Sequence, residues 1–360
     1  MKYNFHFKPL REDVFLITLQ QRVNTYFIDR GIHKKANNAM WIKAVVMMAG
    51  MFSLYFILLF GGLGKLSMLV CATMLGIFIA GVGCNVSHDA LHYTFSNKKW
   101  INRCLGYSMD FIGSNSYLWK INHNAHHYYT NISGLDGDIR ENVLIRFSPH
   151  TPYKKTYYIQ LFTTFIIYGS FLLLIIYSFN INNMFKKNLG AKASIEHPGH
   201  EIVKLVLWKL WYLAFWVLIP YHFIEVSFLE FVTGYLAMNF AAGYLLAFNF
   251  MAPHNFEETT YILPVTDKKR SWAEHQLRTT CNFKTSNKIL SYFIGALNHQ
   301  IEHHLFPEIC SIHYPEISKI VKKVSLDFNI PYHEKESFFD ILFSHLRVLK
   351  KHSRRIPEIQ

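Results

Sequence analysis

The sequence predicts an all-α membrane protein: four transmembrane helices carrying a helical cap on the cytoplasmic side. Three observations carry that prediction. Long apolar runs alternate with basic polar blocks. The charged fraction, 17% of 360 residues, is well below the quarter usual in soluble domains. Three histidine clusters stand in two polar blocks far apart in the chain, and they must share one side of the bilayer if they act together. The composition also excludes a disordered chain, which would lack so much apolar surface. The 5 cysteines are odd in number and unpaired in spacing, so they read as reduced thiols rather than a disulfide framework.

Residues 1–40 form a basic arm without the apolar core and small-residue cleavage site of a signal peptide. Apolar stretches at 41–62 and 66–86 are each long enough to cross about 30 Å of hydrocarbon, and the Gly-rich turn between them makes a hairpin. A second hairpin is expected from 205–224 and 226–250, with Trp208, Trp211, Tyr212 and Trp216 suited to the membrane interface. A further apolar stretch, 157–179, lies between basic segments. Lys and Arg crowd 1–40, 87–156, the linker before 205, and 252–360, which places all of these blocks on the cytoplasmic side. Blocks 87–156 and 252–360 then share a side, so an even number of crossings separates them. Residues 157–179 are therefore expected to lie in the interface or to re-enter. The net charge, 37 basic minus 24 acidic residues or +13, suits anionic head groups, and nothing in its pattern suggests nucleic acid.

The first histidine cluster, His88 and His92, is an i, i+4 pair that shares a helix face. The second is His123, His126 and His127. The third is His299, Gln300, Glu302, His303 and His304. At this histidine frequency a bare HxxxH is expected roughly once per chain, but a three-histidine pattern of the HxxHH kind only ~0.05 times. Two related triples, together with an HxxxH at a membrane exit, are therefore a strong signal. Neutral imidazole is the commonest side-chain metal ligand. So many are too many for one zinc, which takes four ligands, and they suit two metals; imidazole sites accept iron, copper or zinc. Asp89, Asp136, Asp138 and Glu302 are placed to accept the second ring N–H of a ligating histidine, although ordinary surface or capping roles fit each equally well. His6, His33, His150, His345 and His352 read as solvated histidines.

These boxes, in this order, resemble the integral-membrane fatty acid desaturase family. The segments that carry the likeness are HDALH (88–92), WKINHNAHHYYTNISGLDGDI (119–139), WAEHQLRTTCNF (272–283) and GALNHQIEHHLFP (295–307). The last two are similar to bacterial linoleoyl-CoA-type and front-end desaturases. The resemblance implies two iron ions held by the boxes plus one histidine after the last span, a place that His254 occupies, with molecular oxygen as co-substrate. Asn249 and Asn255 are candidates for a ligand through water, and His275 for a role just outside the metal shell. Most relatives begin the third box with His three before the pair; here Gln300 stands there, as in front-end enzymes. His299 either replaces that imidazole or is merely its neighbour, and the resemblance favours Gln300.

The resemblance further implies O2-dependent insertion of a cis double bond into an acyl-CoA or acyl-lipid, in a bacterial cell membrane rather than the endoplasmic reticulum. EHPGH (196–200) resembles the haem signature of a fused cytochrome b5 domain, but the linker is too short to hold one. Electrons are then expected from a separate ferredoxin or cytochrome b5, drawn to the basic face. Tyr117 and Trp119 are guesses for the acyl tunnel. A di-iron hydroxylase or ketolase is the alternative on the same scaffold; a membrane zinc protein is the alternative from another class. Residues 314–360 read as amphipathic helices resting on the cap or on head groups.

Overall fold

Residues 5–137, 144–189, 194–264, 270–284 and 288–355 are described by the computed structural model, and helices dominate them. The arm forms helix α1 (Val14–Asp29), capped by Asp13, whose side chain accepts from the Leu16 N–H. Asn37 caps α2 (Asn38–Phe60) in the same way. A turn then leads into α3 (Lys65–Leu91). The cap continues with α4 (Lys99–Gly106) and α5 (Ser116–Tyr129). Next come α6 (Lys155–Gly169) and α7 (Phe171–Met184), α8 (Gly199–Phe223) and α9 (Phe228–His254). Ser227 and Glu230 close a capping box at the start of α9. The second half of the cap holds α10 (Trp272–Thr279), α11 (Gln300–Leu305), α12 (Tyr314–Asp327) and α13 (Phe338–His352). The strands described are β1 (Asn282–Phe283) and β2 (Glu334–Lys335), paired in parallel with Asn282 opposite Glu334.

Four helices, α2, α3, α8 and α9, are long and apolar enough to cross a membrane. They match the four expected stretches, but α3 and α9 run past Val86 and Phe250 to Leu91 and His254. Apolar composition stops where the histidines begin; the helical hydrogen bonding does not. In α3 the backbone passes through a π-helical turn over Gly83–Ser87 before reaching His88, a local widening common at functional sites. The stretch expected at 157–179 is the pair α6–α7, bent by 72° at a short break.

Met40, Met47, Met51, Leu75 and Ile79 fill the membrane core between α2 and α3, and Met238 and Leu246 reach it from α9. Gly76 permits this close packing, because a methyl group there would run into the Met238 carbonyl. Outward-facing Ile42, Val46, Val70, Val206, Leu207 and Leu210 present a hydrocarbon surface suited to lipid. A second core holds the cap together: Leu19, Val23 and Phe27 of α1 meet Leu277, Ile301, Ile317 and Val321. α12 and α13 are amphipathic, as expected, and bury their apolar faces in the protein. All 5 cysteines are free, and Cys104 alone among them is exposed.

Two of the histidines read as solvated are buried. The His345 Nδ1 lies 2.8 Å from the Asn255 carbonyl and its Nε2 2.8 Å from the Tyr168 hydroxyl; His352 is 4% exposed. Side-chain polarity alone does not reveal such partners. Burial pushes His345 and the equally buried His275 down to about 4. The unfolded chain takes up those protons near pH 6.5, whereas the folded protein refuses them until about pH 4. The stabilisation is therefore complete above pH 6.5 and is lost as pH falls toward 4, by about 3 kcal/mol per residue. Melting temperatures of the detergent-solubilised protein between pH 7.5 and 4.5 should fall along this window, and His345→Gln should flatten the slope.

Candidate metal centre

Three elements and one helix end bring the imidazoles together. The last turn of α3 carries His88 and His92, and Tyr93 then turns the chain away at φ 59°. α5 carries His123, His126 and His127; short α11 carries His303 and His304; the end of α9 supplies His254. Their ligand atoms fall into overlapping groups, each with all its atoms within 4.8 Å: His88, His92, His123 and His303; His126, His254 and His304; and His127, His303 and His304. The last group joins the other two, so eight imidazoles line two adjacent positions.

The proton arrangement argues that cations belong there. His126 turns its Nδ1 to Asp136, 3.1 Å from both carboxylate oxygens. His254 turns its Nδ1 to the Thr279 carbonyl at 3.3 Å, and His304 turns its Nδ1 to Gln276 Oε1 at 2.9 Å. Each acceptor fixes the proton on Nδ1 and leaves a lone pair on Nε2. The Nε2 atoms of His126 and His254 then face each other at 3.4 Å with no proton between them. His123 Nε2 also lies 3.0 Å from His92 Nε2 and 2.9 Å from His127 Nε2, within hydrogen-bonding distance of both. The Nε2 atoms of His88, His303 and His304 are buried without any hydrogen-bond partner. Converging lone pairs repel unless a metal ion lies among them, and an outer acceptor on the second nitrogen is the usual support of a metal-bound histidine. Burial, with neighbouring imidazoles as the next cause, holds His92, His123, His127, His303 and His304 well below the ordinary histidine value. They are neutral at physiological pH, the form that ligates.

The expected outer residues are only partly in place. Asp89 Oδ1 is 3.4 Å from His88 Nδ1, while its Oδ2 accepts from the Ser311 backbone and hydroxyl. It therefore ties the end of a membrane helix to the start of the last cap segment. Asp136 supports His126 and also accepts from the Asn131 N–H at 2.8 Å. Glu302 does not support a box histidine of either group: Asn282 and Tyr332 donate to it, because the turn of α11 that aims His303 and His304 inward carries Glu302 the other way. Asp138 lies outside the described residues. His275 binds the Thr130 carbonyl at 2.7 Å, and the Thr130 hydroxyl lies 3.2 Å from His304 Nδ1, so its influence is one step removed. Asn249 accepts from Gln300 through its carbonyl, and its side chain points to Cys84; Asn255 bonds Met251 and Tyr261, away from the centre. Thr130, Gln276, Thr279 and Tyr314 are supports that spacing did not reveal; Tyr314 lies 3.4 Å from His303 Nδ1. Trp119 stacks on His123 with ring centroids 4.1 Å apart, while the Tyr117 hydroxyl pairs with His197 at 3.1 Å.

Gln300 is buried and within hydrogen-bonding reach of His254. His299 stands at the N-cap of α11 outside all three groups, with Nδ1 3.7 Å from Glu302. His299→Ala should therefore leave bound metal and product within about twofold, whereas Gln300→Ala should lower both by about 10–100-fold. Metal analysis and product yield of the two purified variants check this.

A family model described as "Fatty acid desaturase" matches residues 63–336. The chain is 33% identical to an sn-1 linoleoyl-lipid 6-desaturase of Synechocystis sp., over 93% of this chain and 94% of that protein. It is also 33% identical to the enzyme of the same name from Arthrospira platensis, over 93% and 91%. An acyl-lipid (8-3)-desaturase of Physcomitrium patens is 28% identical, over 97% of this chain and 74% of the relative.

Proposed function

The chain belongs to the fatty acid desaturase family and is a membrane desaturase of fatty acyl chains; from that premise we propose that it acts at the front end of an acyl-lipid, inserting a cis double bond between the carboxyl end and an existing double bond. The arrangement that carries the reading is the double group of inward-facing Nε2 atoms. Two iron ions held there would supply O2-dependent oxidation: one O2, two electrons and two protons remove two hydrogens from adjacent methylenes and leave as two waters. The residues do the rest. Asp89, Asp136, Thr279 and Gln276 hold imidazoles in one tautomer, and burial keeps water from the reacting carbons. Gln300 in the third box, and relatives named for double bonds near the carboxyl end, support the front-end position. Those names also favour an acyl-lipid over acyl-CoA.

The electrons come from a separate carrier, a ferredoxin or cytochrome b5, and the basic cap faces the cytoplasm of a bacterial cell. His126 and His127 of one polar block touch His254 and His304 of the other, which supports an even number of crossings between them and a bent pair α6–α7 that re-enters. Expression in a host of known lipid composition, with double-bond mapping by mass spectrometry, tests the reading. A new double bond near the carboxyl end and about two irons per chain are expected; zinc alone with no iron uptake would overturn it.

A further inference from the structure

One polar cavity in the cap is not used by the oxidation chemistry. It measures about 200 Å³ and lies between the end of α3, α4, α5 and the first turns of α8. It has room for several waters or one small polar group. Lys120 reaches it from α5, three residues before His123.

Its inner wall holds Asp110, a carboxylate only 2% exposed. Oδ1 accepts from the Ser116 backbone N–H at 3.1 Å; Oδ2 is buried and has no hydrogen-bond partner. A buried acceptor is costly unless a water or a ligand group entering the cavity supplies a donor. The rest of the lining narrows what that donor is. Arg103, Lys120 and Lys204 lie around it, Lys204 already paired with Glu201 at 2.9 Å and Lys120 donating to the Tyr93 hydroxyl at 2.7 Å. An ammonium aimed at Asp110 would meet these cations. A phosphate among the cations would face the carboxylate. Hydroxyl groups satisfy both, donating to Asp110 and accepting from the lysines. Tyr107 and Trp208 form a tilted aromatic pair with centroids 6.2 Å apart, a surface for the C–H face of a sugar or glycerol.

We propose that this cavity binds the hydroxyl-rich headgroup of the acyl-lipid substrate, a sugar or a terminal glycerol, and that Asp110 is its recognition residue. The assignment rests on the acyl-lipid reading above. His197 of the EHPGH segment gains a purpose, since it holds Tyr117 at the cavity edge.

The test uses the full-length protein in detergent and native mass spectrometry. The probes are monogalactosyldiacylglycerol, phosphatidylglycerol and phosphatidylethanolamine with identical chains, and linoleoyl-CoA. The galactolipid, phosphatidylglycerol or both should bind at least about tenfold more tightly than the other two, and which of them does so tells sugar from glycerol. Asp110→Ala should erase that preference at an unchanged melting temperature; if this variant melts early, Asp110→Asn, which keeps the shape, is read instead. Equal binding of phosphatidylethanolamine or acyl-CoA, or a preference that survives both substitutions, overturns the proposal. Iron content and double-bond products from the same preparation keep the two readings apart. A headgroup preference without iron fails the desaturase chemistry, and product without preference fails the cavity.

Discussion

Replacement of His304 by alanine is expected to abolish the new double bond. His304 is shared by two groups: it stands with His126 and His254, and again with His127 and His303. Its Nδ1 is anchored by Gln276 at 2.9 Å, so its free Nε2 cannot be replaced by a neighbour swinging over. Loss of an outer support typically costs 10–100-fold, and loss of a shared ligand should exceed that, taking product below detection. Iron should fall from about two to one or fewer per chain, since the lost nitrogen borders both positions. Product analysis beside metal analysis checks this, and His304→Gln, which nearly preserves volume, guards against a mere folding defect. An active alanine variant would remove this residue from the centre.

Asp136→Asn should have the next largest effect. The carboxylate accepts from His126 Nδ1–H and from the Asn131 N–H, and so points the His126 lone pair inward. An asparagine can keep one of those contacts but presents an amide N–H to the other. If His126 answers by moving its proton to Nε2, that proton occupies the place of a metal. Activity should drop by about 10–100-fold and metal should dissociate more readily, while melting temperature changes little. Asp136→Glu should recover part of the loss, which a purely structural role for this carboxylate would not predict.

How far the sequence revealed this centre depends on where each contact originates. The convergence of seven box histidines was legible because helix spacing puts each cluster on a common face. His254 was legible only through the family resemblance, as a lone histidine after a span has no spacing partner. Asp136 followed from its position after the second box. Gln276, Thr130 and Tyr314 were not legible, because folding brings them to His304 and His303 from other segments and no short motif records that approach. Glu302 takes the other of its two expected roles, because adjacency in sequence is divergence on a helix. The π-helical turn at Gly83–Ser87 was equally hidden, since its residues look like ordinary continuation of an apolar helix. In the fold, hydropathy found the four spans, and charge parity singled out the stretch that bends.

On the re-entrant topology proposed above, that bend gives the molecule unequal girth in the two leaflets. With α6–α7 re-entering, the leaflet beside the short hairpin turns holds four helices, and the leaflet beside the histidines holds the same four plus the arms of the 72° bend. Such a body is a wedge, and it strains a flat bilayer of cylindrical lipids. Lipids whose tails splay more widely than their headgroups fill the space beside its narrow end with less strain. Each cis double bond broadens a tail in that sense, so the enzyme's own product changes the lateral pressure under which the enzyme sits.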